Sequence, residues 1–74
     1  MRSGMSSDQI KFLRLVEAET RKRRNFSNWL PDAMKVMHFI PEKLTPEEAA
    51  MVFVRWLFRE PIQDHDGEFL TSLG

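Results

Sequence analysis

Apolar positions recur at helical spacing in three stretches of this chain, and the third is the densest. Residues 49–58 read Ala-Ala-Met-Val-Phe-Val-Arg-Trp-Leu-Phe. At about 100° per residue, Glu48, Arg55 and Arg59 share one narrow polar stripe, and nearly all the rest of the cylinder is apolar. Such a helix belongs in the middle of something. Its start is well marked: Thr45 is the expected N-cap, Pro46 takes the first helical position, and Glu48 completes a capping box. Pro61 stops it near Arg59 or Glu60. Two apolar arcs separate on the wheel. Ala49, Val52, Phe53, Trp56 and Leu57 form the natural intrachain core. Met51, Val54 and Phe58 lie on the far side and are expected to form a protein interface.

Two further helices precede it. Ser6 and Gln9 fit a capping box that opens helix 1, from about Ser7 to about Arg24. Ile10, Phe12, Leu13 and Val16 form its apolar arc, with Leu15 beside Phe12, while Lys11, Arg14, Arg21 and Lys22 oppose it. Helix 2 is expected to be capped by Ser27 or Asn28. Pro31 sits in its first turn, where the missing N–H is not needed. Its apolar face is Trp29, Leu30, Ala33, Val36, Met37 and Ile40, with Phe39 off that face. Pro41 ends it near His38 or Phe39. Residues 1–5 are expected to be disordered. Residues 62–74 form a tail with a turn at Asp66-Gly67 and a short apolar set, Phe69, Leu70 and Leu73. The pattern therefore predicts one all-α domain over residues 1–74: a small three-helix domain with a central apolar third helix and a short C-terminal tail.

Size sharpens this picture. A chain of 74 residues buries only about 60% of its unfolded surface. It has little material with which to surround so apolar a helix, so a partner is expected, with a homodimer favoured. The sequence has no cysteine, which excludes disulfides, thiolate metal sites and cysteine nucleophiles. That composition fits a reducing, cytoplasmic setting. No window approaches about 18 apolar residues, so no membrane span is expected.

Charge adds an asymmetry. The net charge is zero, yet residues 1–30 hold seven Arg/Lys against three acids, and residues 31–74 hold four against eight, giving +4 and −4. Lys11, Arg14 and the run Arg21-Lys22-Arg23-Arg24 form a basic stripe suited to an acidic protein or to phosphates. Arg21 to Arg24 also lie where a helix C-terminus favours cations on its own account. No aromatic residue interrupts the run to stack bases. A helix-turn-helix is not expected, because neither later helix carries a base-reading polar face.

Catalytic chemistry finds no support. Asp64-His65-Asp66-Gly67-Glu68 places carboxylates around a histidine, but its spacing fails the twelve-residue calcium loop and reads as a polar turn. His38 and His65 are far apart, and no phosphate loop or nucleophile motif occurs. The expectation is no enzyme, no cofactor and no metal. Met34, Met37 and Met51 supply adaptable apolar surface, and Trp29 and Trp56 are residue types that anchor interfaces, with Trp56 better placed in the core. The expected function is a non-enzymatic protein–protein interaction module: a small regulator or inhibitor that docks on a partner protein, acts as a homodimer, or both. The alternative is a nucleic-acid-binding regulator that uses the basic face of helix 1.

Overall fold

The computed structural model describes residues 6–23 and 28–73. Three α-helices follow in order, α1 (Ser7–Lys22), α2 (Leu30–Val36) and α3 (Pro46–Leu57), then a 3₁₀ helix (Glu68–Leu73). The described residues contain no strand. The domain is all-helical, as the periodicity predicts.

Both capping boxes form as the sequence predicts. The Ser6 amide donates to Gln9 Oε1 at 3.0 Å, and the Gln9 amide donates to Ser6 Oγ at 3.2 Å. At α3, the Thr45 amide donates to Glu48 Oε1 at 2.9 Å, and the Glu48 amide to Thr45 Oγ1 at 3.1 Å. Each box satisfies two amides, one of them an orphan donor of the first turn. The start of α2 differs from expectation. Its N-cap is Trp29, with no side-chain cap and Pro31 in the first turn. Asn28 lies outside the helix, and the Ser27 alternative lies outside the described residues. The helix ends at Val36, two residues short of His38. There the Phe39 amide turns back to the Val36 carbonyl at 2.8 Å. Arg24, the expected end of helix 1, also lies outside the described residues, and α1 closes with Arg23 as its C-cap.

α1 and α3 form the main packing pair. They run parallel. Lys11 reaches Glu47 near both N-terminal ends, and Arg23 reaches Glu60 near both C-terminal ends. The connection between them must therefore travel back along the pair, and α2 lies within that return. The 3₁₀ helix packs chiefly on α2. A single core results, built on Phe12 and Val16 of α1, Ala33 and Val36 of α2, and Ala49, Ala50, Val52, Phe53 and Val54 of α3. Met37, Phe69 and Leu70 complete it. The tail thus contributes a wall of the core, beyond the docking expected of it.

Two arc assignments change on α1. Ile10 is 39% exposed and stays out of the core. Thr20 takes a core place instead, one turn beyond Val16. Its hydroxyl donates to the Glu17 carbonyl at 2.9 Å, which satisfies a polar group that burial would otherwise penalise.

The end of α3 closes on a Schellman motif. The Arg59 amide donates to the Trp56 carbonyl at 3.2 Å, and the Glu60 amide to the Arg55 carbonyl at 2.7 Å. The motif needs a left-handed residue, and Arg59 supplies it at φ 60°. A side chain in that region costs about 1–2 kcal/mol relative to the right-handed one. Arg59→Gly is expected to stabilise the chain by about 1 kcal/mol, the excess strain over glycine being partly offset by glycine's larger entropy loss. A urea midpoint that does not rise in this variant would remove the strain. In the following turn, a Cβ on Gly67 would approach Ile62 Cδ1 to 2.8 Å, so a larger residue there would have to turn the end of that isoleucine aside.

Candidate functional site

The predicted interface arc of α3 is not a free face. Val54 is 0% exposed and belongs to the core. Met51 and Phe58 are half-buried, and Phe58 packs against the core. The correction has a physical reason. On a helix apolar nearly all round, which side is buried depends on where the packing partners lie, and the wheel alone does not say; here the buried side includes Val54. Trp56, expected in the core, is only partly buried and stacks on Phe53 at 5.8 Å between ring centroids.

The basic stripe divides in two. Arg23 is consumed inside the fold. Its Nε and Nη2 donate to Glu60 Oε2 and Oε1 at 3.1 and 3.2 Å, a bidentate fork. Its Nη1 donates to Glu19 Oε1 at 3.0 Å and to the Glu19 carbonyl at 3.3 Å. The guanidinium also lies 5.4 Å from the Phe58 ring centroid. Arg23 therefore joins the ends of α1 and α3 and is not available to phosphates. Arg21 and Lys22 pair along their own helix with Glu17 and Glu19, both at 3.2 Å, and their side chains remain well exposed. Lys11 meets Glu47 at 3.6 Å. Arg14 is exposed and makes no ion pair among the described residues.

The Arg23 cluster carries the resolved electrostatics. Hydrogen bonds from Lys22 and then Arg23 lower the Glu19 carboxyl below the usual glutamate value. A hydrogen bond from Arg23 lowers Glu60 in the same way. Hydrogen bonds to Glu60 and then Glu19 raise the Arg23 guanidinium. A carboxyl lowered by folding stabilises the folded state above its unfolded value, near pH 4.5, and that contribution is lost as pH falls through the lowered folded value. Arg23→Met removes the shared donor. The wild type is therefore expected to lose more stability than Arg23→Met when a thermal melt at neutral pH is compared with one well below pH 4.5. Equal losses would show that the cluster is too solvated to matter.

Apolar surface remains elsewhere. Leu30 and Met34 stand one turn apart on α2, at 49% and 39% exposure, and Phe39 beyond them reaches 58%. Sequence reasoning placed Leu30 on the inner face of α2. A seven-residue helix has too few turns for periodicity to separate its rim from its core. Among the described residues no group of His, Asp and Glu is placed to hold a metal, and no helix is long and apolar enough to cross a membrane. The turn at Asp64 to Glu68 is held by the Asp66 and Gly67 amides donating to the Gln63 carbonyl, both at 3.1 Å.

Comparisons with protein-family models, curated proteins and solved structures find no match.

Proposed function

We propose that this chain is a non-enzymatic protein–protein interaction module, a small regulator or inhibitor that acts by docking on a partner, a second copy included. The observation that carries the reading is the apolar surface left facing water after the core has closed: Leu30, Met34 and Phe39. Isolated apolar residues are ordinary on a surface, but Leu30 and Met34 stand one helical turn apart on α2, and Phe39 in the turn that follows it is the most exposed large apolar side chain among the described residues. A cytoplasmic setting belongs to the same proposal and rests on the cysteine-free composition.

The test is affinity capture from the native host with two baits, the wild type and Leu30→Asp/Phe39→Asp. Both positions are exposed, so helicity by circular dichroism is expected to be unchanged. A docked partner is expected on the first bait and lost from the second. Equal recovery on both would sink this surface as the docking site. The alternative, a nucleic-acid-binding regulator, retains Lys11, Arg14, Arg21 and Lys22 as outward cations. The internal use of Arg23 weighs against it, and absence of duplex binding at low salt would remove it.

A further inference from the structure

Two open grooves of opposite charge lie on either side of Glu47. The first, of about 660 Å³, has Ile10 and Leu15 as its apolar part, with Lys11 and Arg14 on its edge. The second, of about 340 Å³, has Leu44 and Met51 as its apolar part. Glu47, Glu48 and Asp66 edge it, with Arg55 also present. Glu47 lines both, and Lys11 meets it at 3.6 Å on the boundary between them.

We propose that the basic patch around the first groove lies face to face with the acidic patch around the second groove of another copy of this chain, in a two-fold dimer whose axis passes beside the Lys11–Glu47 pair. The inference rests on the interaction-module reading and names the partner as the chain itself. Charge complementarity carries it. The basic patch calls for a facing surface with a large apolar side chain flanked by carboxylates, and Met51 with Glu47, Glu48 and Asp66 is such a surface. Because the two grooves are neighbours, one two-fold rotation lays each on its complement, and both contacts form at once. An isologous interface has this property: residue i meets j, and j meets i. The zero net charge of the chain means that two copies approach without overall repulsion. Arg14, with no ion pair among the described residues, gains one across the interface.

Sedimentation equilibrium decides it. The wild type should form dimers as its concentration rises from micromolar toward millimolar, and association should weaken from about 0.1 M to about 1 M salt as screening shortens. Lys11→Glu/Arg14→Glu turns the basic groove acidic, and Glu47→Lys/Asp66→Lys turns the acidic groove basic. Each should raise the dimer dissociation constant about tenfold or more. An equimolar mixture of the two should dimerise again, now as a mixed species, because every groove regains an opposite. Circular dichroism checks that both remain helical. If either unfolds, Ile10→Asp decides instead, since it alters no ion pair and should also give a folded monomer. A wild type that stays monomeric throughout overturns the proposal, as does dimerisation unaffected by Ile10→Asp or by both charge swaps. If the wild type stays monomeric while capture of another protein depends on Leu30 and Phe39, the self-partner falls and the interaction module stands.

Discussion

Val54→Asp is expected to unfold the chain outright. Burying a valine stabilises by about 1.5–3 kcal/mol, and an unpaired carboxylate in its place adds a penalty of several kcal/mol. A domain of this length has only about 4–11 kcal/mol to lose. Val54 is fully enclosed by the chain's own core, so the effect should appear at any protein concentration. Far-UV circular dichroism reads it directly. A helical, monomeric Val54→Asp protein would return Val54 to the surface and restore the far arc of α3 as an interface. Phe58→Asp provides the contrast. Phe58 is only half-buried beneath Arg23, and this change should be milder.

Phe53→Ala should follow closely. Its ring lies 5.9 Å from Phe12 and 5.8 Å from Trp56, centroid to centroid, so it joins α1 to α3 and roofs α3 itself. Truncating a buried phenylalanine costs about 3–5 kcal/mol, with the upper end where the site does not collapse. The side chain is fully enclosed, and most of the chain's stability should go with it. Urea denaturation gives the difference. A loss below about 1 kcal/mol would mean that the ring is not packed as described.

What the sequence made legible follows from range. The boxes at Ser6-Gln9 and Thr45-Glu48 join residues three positions apart, so their chemistry is complete within a short window. Phe12 and Val16 were found because α1 has one wide apolar arc and enough turns to define it. Val54 was misplaced because α3 offers apolar side chains in nearly every direction, and its orientation is fixed by partners remote in sequence. The same holds for Arg23. Its fork to Glu60 bridges 37 positions, and within its own helix it reads as one more cation in a basic run. Thr20 escaped notice because a hydroxyl does not count as apolar, although it stands one turn beyond Val16. The two grooves beside Glu47 were equally invisible, since each draws on separate elements.

The parallel pairing of α1 and α3 bears on how the molecule is made. Neighbouring helices joined by a short link can zip together as soon as both exist. Here the first helix must wait for one that begins at Pro46, with an entire return path between them. Closing so long a loop comes before any reward from the Phe12–Phe53 contact, which slows the search. On the ribosome, where chains emerge N-terminus first, Phe12 and Val16 therefore stay uncovered until the segment Pro46–Leu57 has also emerged.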